Sequence, residues 1–446
     1  MSSNKTPNLN LPQYKGTDKF DLKEINDSYS IIDNAYKEVI DIKDEITKTN
    51  ATAEVINARG GKKTLGDRLD EFSSKFDNVE IDVKSLGFQQ GKDGDIELNT
   101  TLIQSLINEH DDLVLYFPSG INKIGQLNLG VEKNITFKGK SSSFATSTNK
   151  STSNPKIIDT YTQLLINLNE NEAWITHQNS TIIFEKISVI NGIINNNDIN
   201  YTNSNLMIKT QANNLKGKVF ASESSFIGWK SVCGDIDILS KESDILQSCW
   251  LANRCRFRNN KVALAQLVDG RIIDCSFNKN DYAIVMKKGS GFSTIIANRI
   301  EWNNEQGIVV NKAHDVTITN NEFDRNGKAG LLVNELLVGN ITDNTFRRNG
   351  ATETLSASDY NDNIHFSIKN CNNVIVKGNN TVAKSTLDTS TGGMTRPSNV
   401  SNISNNTNCI ISENILNGCS KSDKLSANTI ENNTNCVIVN NIPGIT

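Results

Sequence analysis

Five short segments of this chain repeat at a near-constant interval, and that interval limits the fold more than any other feature. When NRCRFRNN, DCSFNKND, NRIEWNNE, NEFDRNG and NTFRRNG are aligned, their central apolar residues are Phe257, Phe277, Ile300, Phe323 and Phe346, spaced 20, 23, 23 and 23 residues apart. A period in the twenties marks a solenoid, in which each repeat buries its apolar face only against its neighbours. Each repeat carries a second apolar run, such as Ala283-Ile284-Val285-Met286, Gly307-Ile308-Val309-Val310 or Gly330-Leu331-Leu332-Val333, and usually a third, such as Val316-Thr317-Ile318. Three short strands per turn describe a β-helix coil, and the Leu-x-x-Leu-x-Leu core of a leucine-rich repeat is missing. Near the C-terminus Asn405-Asn406-Thr407-Asn408-Cys409-Ile410 recurs as Asn432-Asn433-Thr434-Asn435-Cys436-Val437, so the coils are expected to run to about residue 442.

The composition fits this pattern. The chain has 446 residues, 64 of them Asn, against 28 Gly and only 6 Pro. In a stack of coils, equivalent turn residues lie about 4.8 Å apart; Asn tolerates left-handed turns and its amide can bond the Asn above it. Two residues before each apolar anchor stand Cys255, Cys275, Asn298, Asn321 and Asn344, a column that changes from thiol to amide. Cys255 and Cys275 on adjacent coils could reach disulfide distance, yet the N-terminus MSSNKTPNLNLPQYKG has no signal-peptide core, so cytoplasmic folding and reduced thiols are expected. The 8 Cys form no CxxC pair and the 4 His show no ligand spacing, so no metal or cofactor is expected, and each His reads as a surface or turn residue. The net charge of -4 excludes a general nucleic-acid-binding field, and no apolar run is long enough to span a membrane.

The first eighty residues follow a different rule. Ile25, Ile32, Val39 and Ile46 recur every seven residues with Ala35 and Ile42 at companion positions, a short coiled-coil signature that allows a trimer, with a dimer or a packed single helix as alternatives. Thr64 can cap a second amphipathic helix carrying Leu65, Leu69, Phe72 and Phe76. From Val83 a strand-like start, a polar loop with Gly91 and Gly94, a helix capped by Asn99 and a strand from Leu113 to Phe117 closed by Pro118-Ser119-Gly120 are expected. Asp93 and Asp95 in that loop lack EF-hand spacing and read as a turn.

Together, Gly87-Phe88, the Asp93-Gly94-Asp95 loop, Thr100, Ile103, Gln104, Pro118 and Gly120 resemble the opening of the pectin-lyase-like right-handed β-helix proteins found among phage tailspikes and polysaccharide lyases. Leu98 and Asn99 stand where that family usually has two Asp, and Leu102 where it has Ala. The resemblance covers about forty residues. It implies a mainly β right-handed parallel β-helix at 81–446, with its opening motif at 83–120 and regular coils from about 180 to 442. An N-terminal virion-attachment and helical neck segment would occupy 1–80. By the same resemblance the protein is expected to be a homotrimeric phage tail fibre or tailspike, joined to other tail proteins through its N-terminus and binding a host glycopolymer such as wall teichoic acid or capsule. A depolymerase and a bacterial polysaccharide lyase are the alternatives.

Strand alternation turns the residues after the anchors outward, into the column Arg258, Asn278, Glu301, Asp324 and Arg347. Glu301 and Asp324 on consecutive rungs are candidate catalytic acids, because carboxyls about 5 Å apart serve retaining glycosidases. Trp302, Arg325 and Arg348 follow in the next column, and with Arg347 they are candidate substrate-binding groups: an indole face for a sugar ring, guanidiniums for carboxylate or phosphate. The competing expectation is a plain charge ladder in which Asp324 pairs with Arg347 and Glu301 with Arg299 or Arg325. Glu305, Glu322, Asp343 and Asp274 are alternative acids. Trp174, Trp229 and Trp250 are expected either to line a carbohydrate groove or to pack under the irregular region from Ser141 to Asn154.

Overall fold

Three parallel sheets wind around one apolar interior in the computed structural model of the chain, which describes residues 4–5, 12–13, 22–48, 79–141, 161–195, 198–201, 203–210, 217–233, 249–350, 364–382, 399–419, 423 and 425–442. A representative coil places Arg271–Ile273 in the first sheet, Ser276–Asn278 in the second and Tyr282–Met286 in the third, and Gly291–Ile296 then returns to the first sheet beside its starting strand. Among the described residues the first sheet has 13 strands, from Val79–Asp82 to Val437–Val439. The second has 12, one of which, Asp198–Tyr201, pairs antiparallel off its side. The third falls into sections of 3 and 7 strands joined through single parallel bridges at Ser231.

The interior of the second sheet is one file: Asn122, Leu164, Val189, Phe226, Phe257, Phe277, Ile300, Phe323, Phe346, Thr381 and Leu416, each the register partner of the next. The five anchors expected from the sequence are fully buried in it. Phe257 stacks on Phe277 with centroids 4.7 Å apart, and Phe323 on Phe346 at the same 4.7 Å, so the rings follow the spacing of the strands that carry them. Phe226 is a further member that the repeat alignment does not reveal. The first sheet's file is mostly aliphatic over the same coils, with Ile272, Ile295, Ile318 and Ile341 in register.

The asparagines do both jobs expected of them, at different positions: 12 of the 30 described non-Gly residues with positive φ are Asn, Asn320, Asn405 and Asn432 among them, and others build the ladder. In the column from Cys255 to Asn344 the left-handed corner residue is the one before the ladder position, and its side chain varies: Arg254, Asp274, Ala297, Asn320 and Asp343 all have φ between 53° and 56°. The next residue, Cys255, Cys275, Asn298, Asn321 or Asn344, is buried and makes the ladder. Asn321 Oδ1 accepts the backbone N–H (2.9 Å) and Nδ2 (3.0 Å) of Asn298, while its own Nδ2 donates to Ile295 O (2.9 Å) and Asn344 Oδ1 (3.0 Å). A second ladder at the other end of the same strands runs through Asn260, Asn280, Asn303, Asn326 and Asn349. The thiol rungs copy part of this pattern: Cys255 N–H donates to Cys275 Sγ at 3.4 Å, and both cysteines are free thiols.

Three local expectations need correction, and one open alternative is decided. The opening strand is Val79–Asp82, and Val83–Leu86 is a 3-10 turn. The helix after the Gly-rich loop is Ile96–Glu109, capped by Asp95, whose carboxylate accepts from Leu98 N–H at 3.0 Å. Asn99 lies inside that helix, buried, and ties it to the coil: its Oδ1 accepts from Gln89 N–H (2.7 Å) and its Nδ2 donates to Gln89 O (2.8 Å) and Lys123 O (3.0 Å). Trp174, Trp229 and Trp250 are fully buried and line no groove; Trp174 packs 5.4 Å from Phe137, and Trp250 edge-on to Phe226 at 5.7 Å. His177 and His365 are buried too, not surface residues.

The chain divides into two units, Met1–Asp77 and Asn78–Thr446. In the first, α1 spans Leu22–Lys48 as the heptads predict, and Ile31, Ile32, Val39 and Ile40 are exposed along it. The side chains of Ile25, Ile42 and Ile46, and the whole second amphipathic segment with Thr64, Leu65, Leu69, Phe72 and Phe76, lie outside the described residues.

Candidate functional site

Short three-residue strands build the outer wall of the second sheet. Each holds its middle residue in the core and turns the flanking two outward. One outward column is Arg256, Ser276, Arg299, Glu322 and Thr345, and the other is Arg258, Asn278, Glu301, Asp324 and Arg347. Glu301 and Asp324 are therefore register partners on consecutive rungs.

Their surroundings differ. Glu301 keeps 13% of its side chain exposed, lies 3.0 Å from the Arg299 guanidinium and accepts from Asn278 Nδ2 at 3.3 Å. Asp324 is 2% exposed and sits between two guanidiniums: Arg325 Nη1 donates at 2.6 Å, and Arg348 donates through Nε at 3.0 Å and Nη2 at 2.6 Å. Arg325 also lies over the Trp302 ring, 4.7 Å from its centroid. Trp302, Arg325 and Arg348 all occupy left-handed corners, with φ of 56°, 56° and 48°. That corner folds the side chains back over the wall, which leaves Arg325 at 8% and Arg348 at 4% exposure. Their guanidiniums hold Asp324, where the sequence suggested an outward clamp. Arg347 pairs with Glu322 at 3.1 Å, with both side chains partly exposed. In the ladder expected as the alternative, the Glu301–Arg299 pair is present, whereas Asp324 takes Arg325 and Arg348 in place of Arg347.

The remaining acids named from the sequence are spread out. Asp274 is 3.5 Å from Arg254 at an exposed corner, Glu305 pairs with Lys328, and Asp343 is a corner residue of the ladder. Among the described residues no group of three or more His, Cys, Asp or Glu could hold a metal. Burial lowers both buried histidines to about 4. His365 Nε2 meets Gly418 O at 2.7 Å, and His177 Nδ1 accepts from Ser180 N–H at 3.3 Å, so both are neutral structural groups near neutral pH. Burial pushes the Cys371 thiol up to about 12 and raises Cys275 and Cys409 as well, which makes poor nucleophiles of them.

A second concave surface escaped the sequence reading. On the outer face of the third sheet a groove of about 530 Å3 is lined by the apolar Val309 and Leu332 and by the polar Asn311, Asn334, Lys369 and Asn402, among others. A lining that mixes apolar and amide groups suits the apolar face and hydroxyl edge of a sugar ring. Its signal was present in the alternation of Val309 with Asn311 and of Leu332 with Asn334, but those runs read simply as buried strands.

The sequence pattern of the family described as right handed beta helix region matches residues 239–395. The fold is a right-handed β-helix. The enzymatically active domain of tailspike protein 2 from bacteriophage CBA120 is similar in structure, with a TM-score of 0.50 and 14% identity over 71% of this chain and 45% of that one. This chain thus spans less than half the length of that tailspike domain. The DFA-IIIase of Arthrobacter chlorophenolicus A6 is 11% identical over 80% of this chain and 98% of that one, with a TM-score of 0.49. The ORF18 protein of Geobacillus virus E2 is 10% identical over 88% and 64% of the two chains, with a TM-score of 0.41. Comparison of the sequence with curated proteins gives no match. Among the described residues no helix is long and apolar enough to cross a membrane.

Proposed function

We propose that this β-helix is the receptor-binding part of a phage tail fibre or tailspike, and that its outer wall binds a repeating host surface glycopolymer such as wall teichoic acid or capsule. The observation that carries this reading is the wall itself. Outward side chains recur in register at the strand spacing of about 4.8 Å over consecutive rungs, a rigid lattice against which a repeating polymer can be laid. Likeness to a phage tailspike domain and the sugar-sized groove on the third sheet support it. Residues 1–80 are assigned to virion attachment and a neck that joins other tail proteins. The exposed Ile31, Ile32, Val39 and Ile40 on α1 favour assembly into a homotrimer through that helix.

A depolymerase is the second reading, favoured by Glu301 and Asp324 on adjacent rungs. In it Glu301, the more accessible acid, acts on the polymer. Asp324, with Arg325 and Arg348, forms the charged floor that positions it, while Trp302 and Arg347 flank the chain. Purified protein incubated with host wall glycopolymers, with product size followed by chromatography, separates the two. Unaltered polymer alongside retained binding supports a receptor-binding protein. Fragments that disappear with Glu301→Gln support the enzyme, and the single change avoids unsettling the two arginines that depend on Asp324.

A further inference from the structure

The corner where the chain passes from the third sheet into the first carries a residue that the fold does not ask for. Strand register places Asp269, Phe292, Asp315, Val338, Asn373, Asn408 and Asn435 in one column down this corner. All but Val338 are left-handed, with φ from 48° to 56°. Short Asp and Asn side chains bond locally and tolerate that conformation, whereas a bulky ring there is strained. Phe292 gains little burial in exchange, since 59% of it stays exposed. Strain retained at an exposed aromatic residue points to a use for its ring.

The neighbours of Phe292 form a set. His314 packs edge-on to the ring with centroids 4.6 Å apart, and its imidazole lies over Gly291, where an added Cβ would come within 2.6 Å of His314 Cε1. His314 Nδ1 meets Asp315 Oδ2 at 3.3 Å, on an exposed carboxylate one rung below Phe292. On the rung below that, Leu337 and Val338 are both exposed. Apolar side chains thus flank one carboxylate from above and below, over two strand spacings or about 9.6 Å.

We propose that Phe292, Asp315, Leu337 and Val338 form a binding site for two adjoining uncharged sugar residues of a surface glycan. This rests on the glycan-binding reading above and adds a second contact edge to it, at a corner that the second sheet does not share. The C–H face of one sugar ring lies on Phe292 and that of the next on Leu337 and Val338, while the Asp315 carboxylate, steadied by His314, accepts from their hydroxyls. A carboxylate at the centre of the site repels an acidic sugar. Three exposed apolar side chains fall far short of the roughly 800 Å2 that each partner of a stable protein complex buries, but they suffice to cover a ring or two.

Phe292→Asn is the telling change, because Asn already holds the same corner at Asn373, Asn408 and Asn435. It should raise the melting temperature by about 1 to 2 °C while weakening sugar binding, so that stability and binding move in opposite directions. Saturation-transfer NMR on wild type, Phe292→Asn and Asp315→Asn, with cellobiose, N,N′-diacetylchitobiose and digalacturonate as probes, reads the second effect. Wild type should bind at least one of the two neutral disaccharides, and digalacturonate more weakly. Each variant should lose about tenfold in affinity. Unchanged binding by Phe292→Asn, a preference for digalacturonate, or no binding of any probe by wild type overturns the site. A lowered melting temperature in Phe292→Asn also overturns it, since the ring is then kept for packing. If that variant instead changes the sedimentation coefficient, the patch is a contact between copies of this chain and the sugar site falls. None of these results touches the broader reading, which the incubation with host wall glycopolymers decides on its own.

Discussion

Replacing Asn321 by Ala removes one rung from the middle of a buried amide ladder and should be among the most destabilising single changes in the chain. The side chain makes four hydrogen bonds, two accepted from Asn298 and two donated, to Ile295 O and Asn344 Oδ1, all between 2.9 and 3.0 Å. At about 1 kcal/mol net for each buried bond, the loss is about 4 kcal/mol, and more where Asn298 N–H finds no substitute. Asn433 supplies the internal control. It accepts from Asn406 N–H and Nδ2, both at 3.0 Å, and donates to Ile403 O at 3.1 Å, but it is only half-buried on the last coil, so water can replace its partners and Asn433→Ala should cost about 1 to 2 kcal/mol. Asn321→Cys tests the mechanism more finely. Cys275 at the same position accepts Cys255 N–H at 3.4 Å and bonds Ile273 O at 3.2 Å, two contacts in place of four, so the thiol should recover roughly half of the Ala loss. Urea denaturation gives the stabilities, and hydrogen exchange at the Asn298 amide gives the local effect. If Asn321→Ala unfolds within about 1 kcal/mol of wild type, or Asn433→Ala costs as much as Asn321→Ala, the ladder argument is refuted.

Acid should weaken the fold through its two buried histidines. Their folded values lie near 4, below the ordinary 6.5, so the unfolded chain takes up protons that the folded chain refuses as pH falls from about 6.5 to 4. Each then removes up to about 3 kcal/mol of stability. His365→Asn, which keeps a donor for Gly418 O, should flatten that slope in melts run from pH 7 to 4.5; an unchanged slope counts against this assignment. Asp324→Asn leaves two nearly buried guanidiniums without their carboxylate and should cost about 3 to 5 kcal/mol, read by urea midpoint. A loss below about 1 kcal/mol would show that the triad contributes little. Ile32→Asp with Val39→Asp on the exposed side of α1 should turn a trimer into a monomer in sedimentation without moving the main melt; a wild type already monomeric at micromolar concentration rules out the coiled-coil role.

The periodic core was legible because each anchor, from Phe257 to Phe346, repeats under one constraint, the width of a coil. Phe226 escaped because the longer stretch between it and Phe257 breaks the count. The ladder was half legible. The columns of Cys255, Cys275 and Asn298 fell in place, but the left-handed corner belongs to the preceding residue, where Arg254, Asp274 and Ala297 show that backbone geometry, not side-chain type, is fixed. The same corner explains the candidate site. Alternation correctly paired Glu301 with Asp324, yet it assumes an extended chain, and at Arg325 and Arg348 the positive φ folds the side chains back onto Asp324. The third-sheet groove was hidden for another reason: it draws its lining from residues 20 or more positions apart, which only the stacking of coils brings together.

Hydroxyl-radical footprinting of the protein with and without host wall glycopolymer reads which wall the polymer covers. Protection of Trp302 and of outward residues on the second-sheet strands between Arg256 and Arg347 is expected, with the exposed Ile273 on the first sheet unchanged. Protection confined to the first sheet, or a footprint identical with and without polymer, would contradict binding at this wall.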